Sequence, residues 1–182
     1  MRIISGTARG LTLNTLEGDS TRPTRDMVRE ALFSMLLNKI PGCVFLDLFA
    51  GSGAIGIEAL SRGASFCNFV DINPKAVYII KENIKKAKFE NNSQVYNTDY
   101  KKAISKFDSN MFDIIYVDPP YNKEIGIDAI NIISDKEILK SDGIIILETD
   151  TNEIVPDIIG KYEKFNYKRY GRNILSLFRR KG

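Results

Sequence analysis

The chain has 182 residues, 43% hydrophobic and 27% charged, with a net charge of +3, the profile of a soluble globular protein with one core. No run approaches the ~18 apolar residues of a membrane helix, and Met1-Arg2-Ile3-Ile4-Ser5-Gly6 lacks the apolar stretch of a signal peptide, so a cytoplasmic protein with no membrane partner is expected. There is no histidine, which excludes Ser-His and Cys-His nucleophile activation and imidazole bases. Cys43 and Cys67 lie in or beside apolar runs without metal-ligand spacing and read as reduced core residues, and no metal site is expected.

Charge is unevenly spread. Residues 161–182 carry eight Lys/Arg against the single acid Glu163, a local +7 that leaves −4 on residues 1–160. Further arginines, Arg2, Arg9, Arg22, Arg25 and Arg29, crowd the start. A polyanion partner is consistent with this field, and a solubilising basic end is the plainer alternative.

In chain order, residues 2–14 read as a small hairpin turning at Ala8-Arg9-Gly10. Thr24 is a good N-cap for a helix to about Asn38, with Val28, Leu32, Met35 and Leu36 on one face. These elements form an N-terminal extension, 1–42, ahead of a main domain at 43–182. From Cys43 the pattern alternates. Strands are expected at 43–48, 66–71, 94–97, 112–117 and 144–149, with helices near 53–62, 74–88, 99–106, 125–134 and 152–160. Strands this continuously apolar predict a parallel sheet covered on both faces. Tyr167 to Phe178, broken at Gly171-Arg172-Asn173, predicts a closing antiparallel hairpin.

The first strand runs into Asp47-Leu48-Phe49-Ala50-Gly51-Ser52-Gly53-Ala54-Ile55-Gly56, a G-x-G-x-x-G between strand and helix, with Asp71 placed 20 residues after Gly51. That pattern fits a dinucleotide, and an NAD-dependent oxidoreductase has to be weighed. Asp47 opposes it, because a carboxylate at the strand end would face the dinucleotide's own phosphates. S-adenosylmethionine has no phosphate and carries ammonium and sulfonium charges that favour nearby acids. Asp71 would then take the ribose and Asp99 the adenine amine, although Asp99 also reads as a simple cap for the next helix. The candidate cofactor contacts are Asp47, Phe49, Ala50, Gly51, Ser52, Gly53, Asp71, Ile72, Asp99 and Tyr100.

The fourth strand ends at Asp118-Pro119-Pro120-Tyr121. Proline fixes its own φ and pushes the preceding residue toward extended geometry, so this corner is stiff, and neither proline supplies an N–H to its carbonyls. If Asp118 and the Pro119 carbonyl accept the two protons of an exocyclic base amine, the nitrogen is held with its lone pair toward a methyl donor, and Tyr121 stacks on the extruded base. Asp118, Pro119 and Tyr121 are therefore the candidate catalytic residues. A solvated acid in a tight turn is the alternative for D-P-P taken alone.

Taken together, Arg2-Ile3-Ile4-Ser5-Gly6, Arg22-Pro23-Thr24, Val28-Arg29-Glu30-Ala31-Leu32-Phe33, Asp47 to Gly53, Glu58 to Ala64 and Asp118 to Tyr121 resemble the RsmD-like 16S rRNA (guanine(966)-N(2))-methyltransferases over nearly the whole chain. The resemblance implies a class I S-adenosylmethionine-dependent, Rossmann-like α/β fold with a seven-stranded sheet. It further implies methyl transfer from S-adenosylmethionine, leaving S-adenosylhomocysteine, to one guanine N2 in 16S rRNA or a partly assembled small subunit, by an enzyme expected to be monomeric. It places Arg9, Arg22, Thr24, Arg25 and Arg29 along the RNA approach, where cations meet phosphates. Thr24 as a plain cap and an Asp26–Arg29 pair at i,i+3 remain the alternatives. Asp71 departs from the glutamate expected there, which shortens the reach to the ribose. An adenine-N6 methyltransferase acting on DNA or RNA is the competing reading, because D-P-P-Y is shared with such enzymes.

Overall fold

The computed structural model describes residues 1–16, 23–120 and 123–182, with the side chains of residues 23–25 and 123 outside that description. Arg22 and Tyr121, and the side chains of Thr24 and Arg25, therefore lie outside the described residues. An N-terminal arm, residues 1–14, folds back on itself through one antiparallel bridge, Arg2 to Thr12. Helix α1 (Pro23–Met35) follows, and then the alternating series β1 (Val44–Asp47), α2 (Ala54–Ser61), β2 (Phe66–Asp71), α3 (Pro74–Ala87), β3 (Ser93–Asn97), α4 (Tyr100–Lys106), β4 (Phe112–Val117), α5 (Lys123–Lys136) and β5 (Leu139–Asp150). The two-residue β6 (Ile158–Ile159), then β7 (Tyr162–Tyr170) and β8 (Asn173–Arg180), complete the chain.

One sheet contains all eight strands in the order β3-β2-β1-β4-β5-β8-β7-β6. The first five are parallel neighbours. β8 joins β5 antiparallel, and β7 joins β8 through the two-residue turn Gly171-Arg172. The expected seven-stranded sheet with a closing hairpin is present, and β6 is a short addition at the far edge. Parallel strands buried on both faces need two cores. Phe45, Phe69, Ile114, Tyr116, Ile146 and Leu177 face one core, whereas Leu46, Val70, Ile115, Val117, Leu147 and Phe178 alternate onto the other, beneath α4 and α5.

Local chemistry sets the element ends. Asn73 caps α3 by accepting from Lys75 N at 3.0 Å, Pro74 occupies its first turn, and Lys88 closes it in the left-handed region at φ 61°. The helix expected at 152–160 does not form. Pro156 removes an N–H and disfavours helical geometry at Val155. Asp150 instead accepts from Asn152 N at 3.0 Å, and its backbone carbonyl accepts from Glu153 N, which makes a turn leading to β6. β5 begins earlier than expected, at Leu139, which pairs with Phe112.

The N-terminal extension shares its core with the sheet: Ile3, Leu13, Val28, Leu32, Phe33 and Leu36 pack with Phe45 and Tyr116. Each such side chain removed from water is worth roughly 1.5–3 kcal/mol. Glu58 of α2, fully buried, orients the arm by accepting from Ile4 N at 2.8 Å and Ser5 N at 3.0 Å, with Arg62 Nε at 2.7 Å. Ser61 takes the next residues: its carbonyl accepts from Thr7 N at 2.8 Å and its Oγ from Ala8 N at 2.9 Å. Gly6 makes this approach possible, since a Cβ there would lie 1.8 Å from Ser61 O, at φ +87°. Gly6→Ala is expected to lower the unfolding free energy by roughly 2–4 kcal/mol and to open Arg9 to trypsin. Urea denaturation with limited proteolysis checks both.

Candidate active site

The carboxyl ends of β1, β4 and β5 and the start of α2 enclose a cleft of about 200 Å³. Asp47, Phe49, Ala50, Gly51 and Ser52 form one wall, Tyr116, Asp118 and Glu148 another, and Met1, Val28 and Arg29 of the extension a third. Asp47, Tyr116 and Glu148 project to the sheet face that the extension covers, because each continues the alternation of Phe45, Ile114 and Ile146.

The glycine loop is tied down at nearly every residue. Leu48 N donates to Tyr116 O at 3.0 Å and Ala50 N to Val70 O at 3.0 Å. Asp71 accepts from Gly51 N at 2.8 Å with one oxygen and from Asn73 N at 2.8 Å with the other. Asn83 of α3, fully buried, donates to Ser52 O at 2.9 Å and holds Asn14 through a second pair of bonds. Gly51 and Gly53 adopt φ 56° and 78°, the left-handed region that favours glycine. Gly56 lets α2 lie close on β2: a Cβ there would meet the Phe69 ring at 2.3 Å.

Asp47 is 1% exposed, and its Oδ2 accepts from Gly56 N at 3.0 Å. Burial raises its pKa to about 7, against the lowering effect of the Gly56 N–H, and the Asp71 charge adds to the rise. A dinucleotide site leaves the helix N-terminal N–H groups for pyrophosphate. Here a carboxylate already occupies one of them.

The remaining sequence-predicted residues fall in distinct places. Asp71 and the 68%-exposed Ile72 stand together at the end of β2. Asp99 caps α4 by accepting from Lys101 N at 2.9 Å, the plainer of its two readings. The Tyr100 ring lies 5.3 Å from that of Phe49, and its hydroxyl donates to Asp128 at 2.7 Å. Asp118 is exposed on the cleft rim. Pro119 lies beside α5, where a Cβ on Gly126 would meet its Cγ at 3.3 Å. Arg9 is exposed at the turn of the arm.

Arg29 is not on the surface. It is 3% exposed, donates to the Arg2 carbonyl and to Asp26 at 3.1 Å, and has Glu58 3.9 Å from its Nε. Burial lowers its pKa, against the pull of Glu58 and Asp26. The i,i+3 pair with Asp26 is thus present, as part of a brace between α1 and the arm. Cys43 and Cys67 are both buried free thiols, and burial with the nearby Asp113 charge pushes Cys43 up to about 12.

Sequence reasoning missed Tyr116, Glu148 and Asn173. The Tyr116 hydroxyl and the Asn173 amide both donate to the Glu148 carboxylate, in close hydrogen bonds. Burial, followed by the Glu148 and Asp118 charges, drives the Tyr116 pKa well up, so the phenol keeps its proton. A signal was available: Ile144-Ile145-Ile146-Leu147-Glu148 is an apolar run ending on an acid, as at Asp47 and Asp118.

The model of the family described as Conserved hypothetical protein 95 matches residues 1–179. The chain belongs to that family, the RsmD family. An RsmD-family relative in Bacillus subtilis (strain 168), named as a candidate rRNA methyltransferase, YlbH, is 37% identical with all of both chains covered. The Escherichia coli (strain K12) chain named Ribosomal RNA small subunit methyltransferase D is 30% identical, covering 99% of this chain and 90% of its own. A solved Escherichia coli structure named as a candidate methyltransferase, yhhF, superposes with a TM-score of 0.88 at 29% identity, covering 100% and 98%. The fold is that of the S-adenosylmethionine-dependent methyltransferases.

Asp47 gives this RsmD-family site a pH signature. Its folded-state value stands above the ~3.9 of an unfolded aspartate, so the folded protein binds this proton more tightly. That contribution to stability is complete below about pH 4 and is lost as pH rises toward 7. Asp47→Asn, which still accepts from Gly56 N and never ionises, is expected to remove roughly a few kcal/mol of decline between pH 4 and 8. Urea denaturation across that range checks it.

Proposed function

We propose that the protein transfers a methyl group from S-adenosylmethionine to the exocyclic N2 amine of a guanine, of the 966 type, in 16S small-subunit rRNA. The observation that carries this reading is the single cleft lined both by Asp118 of the D-P-P corner and by the glycine loop Phe49 to Ser52. The names of the RsmD-family relatives support rRNA as the substrate.

The residues fit a cationic, phosphate-free cofactor. Three carboxylates, Asp47, Asp118 and Glu148, line the cleft against one guanidinium, Arg29, and Asp47 occupies a helix N–H that a phosphate would need. Phe49 through Gly53 would take the amino-acid end, Asp71 the ribose, and Ile72 with Asp99 and Tyr100 the adenine. When bound, the cofactor supplies an electrophilic methyl on a sulfonium leaving group.

The chain's own work is then positional. Asp118 and the Pro119 carbonyl accept the two N–H bonds of the base amine, which turns the nitrogen lone pair toward the methyl. The amine becomes acidic only after it is alkylated, so no strong base is needed and the lack of histidine costs nothing. Tyr121, next in sequence, is the proposed stacking platform for a base taken out of its helix. Arg9, with Arg22, Thr24 and Arg25, is proposed to meet the RNA backbone as it approaches across the extension. A monomeric cytoplasmic enzyme acting on free 16S rRNA or a partly assembled subunit is the form proposed.

Purified protein is expected to place label from S-adenosylmethionine on a guanine amine, with N2-methylguanosine identified by nucleoside mass spectrometry. N6-methyladenosine would establish the competing adenine reading instead. Asp118→Ala is expected to lower transfer about 10²–10³-fold, with S-adenosylhomocysteine affinity by calorimetry nearly unchanged; parallel loss of both would make Asp118 a cofactor ligand. Arg9→Ala is expected to reduce the slope of log affinity against log salt by about one, measured by filter binding to rRNA.

A further inference from the structure

We infer that Glu148, fixed between the Tyr116 hydroxyl and the Asn173 amide, is the acceptor that reads the N1–H of the target base and so restricts the site to guanine. The inference rests on the guanine-amine reading above and goes on to name the residue that selects the base.

Three observations carry it. The first is position. The strand order β3-β2-β1-β4-β5 puts the candidate cofactor acids Asp71 and Asp47 at the ends of β2 and β1, on one side of β4. Glu148 stands on the other side. Val117 and Leu147 are the last residues that β4 and β5 pair with each other, so Asp118 and Glu148 are the next residues on each strand, neighbours among the residues lining the cleft. A base whose amine rests on Asp118 therefore has its neighbouring edge atoms toward Glu148.

The second observation is polarity. Both groups bonded to Glu148 are donors, a phenol O–H and an amide N–H. A carboxylate that receives two donors has lone pairs left over, and these can only accept. Whatever packs against it from the cleft must offer a hydrogen.

The third is the chemistry of the bases. Guanine presents two adjacent donors on its Watson–Crick edge, N1–H beside the N2 amine. Adenine presents its amine beside N1, an acceptor. With the amine on Asp118 and Pro119, guanine places a donor against Glu148, whereas adenine sets a lone pair against a carboxylate. A flipped base is read on this edge, and a site built around such a bond rejects a partner that leaves it unmade. Tyr116 and Asn173 are positioning residues in this scheme, and Arg29 is the one guanidinium among the described residues on the same walls.

The test uses two rRNAs, assembled by ligation with either guanine or 2-aminopurine at the target position. 2-Aminopurine keeps the amine but has an acceptor at N1. Wild type is expected to methylate the guanine RNA at least roughly tenfold faster in kcat/KM than the 2-aminopurine RNA. Glu148→Gln, whose amide can turn a donor toward N1, is expected to slow guanine methylation and to narrow or reverse that ratio, with S-adenosylhomocysteine affinity unchanged. Asn173→Ala, which loosens the carboxylate without changing its polarity, is expected to slow both RNAs while keeping the preference for guanine. If Glu148→Gln slows both substrates equally, or if wild type does not discriminate between them, the inference is overturned. Failure of wild type to methylate the guanine amine at all appears before any variant is compared and overturns the parent reading, and the inference with it.

Discussion

Two carboxylate bonds to backbone N–H groups hold the cleft in shape. Asp71, at the end of β2, accepts from Gly51 N, and Asp47, at the end of β1, accepts from Gly56 N. The loop between them has to leave a strand, pass through left-handed geometry at Gly51 and Gly53, and enter a helix only eight residues long with no side-chain cap. Such a turn is poor in internal bonds, and charge-assisted bonds to backbone N–H are among the strong ones. The loop is thereby fixed before any ligand arrives, which is the preorganisation that positional chemistry requires.

The extension depends on that loop and closes it. Asn83 joins Ser52 to Asn14, while Glu58 and Ser61 of α2 seize residues 4–8. The arm is anchored on the helix that starts at the glycine loop, so any shift of α2 is carried into the walls made by Met1, Val28 and Arg29. Arg29 completes the link. A buried guanidinium is tolerated because Asp26, the Arg2 carbonyl and the nearby Glu58 charge compensate it. The part of the chain proposed to meet RNA and the part proposed to hold the methyl donor are thus packed on one core.

The alternating strands and helices were legible because continuous apolar runs bounded by Gly, Pro and Asn leave few other readings, and the hairpin at Gly171-Arg172 carried its own turn chemistry. The segment 152–160 misled because its apolar spacing suits a helix, and only Pro156 and the acceptor at Asp150 argue otherwise. Arg29 shows a second kind of limit. A side chain's type is visible in sequence, but whether its polar atoms are already engaged depends on partners far away: Glu58 lies 29 positions beyond Arg29. Asn83 is the extreme case, a polar residue on the inner face of an amphipathic helix whose partners are 31 and 69 residues away. Glu148 differs, because its signature stood in the chain. Its meaning depended on β5 lying beside β4, which the acid-ended run alone does not state.

Charge in the cleft connects the fold to turnover. Three acids, Asp47, Asp118 and Glu148, stand with the guanidinium of Arg29 in a partly enclosed space, where Coulomb terms are less screened than in water. Asp47 is adjustable, because burial sets its pKa near 7 and a nearby cation would favour its ionised form. On the proposed reading, the carboxylates favour a sulfonium over the neutral thioether left after transfer, so the same walls that retain the methyl donor hold its product less firmly. Differential stabilisation of this kind is what separates a site that turns over from one that merely binds. It follows from acids placed at the ends of β1, β4 and β5, without a proton relay and without any group the chain lacks.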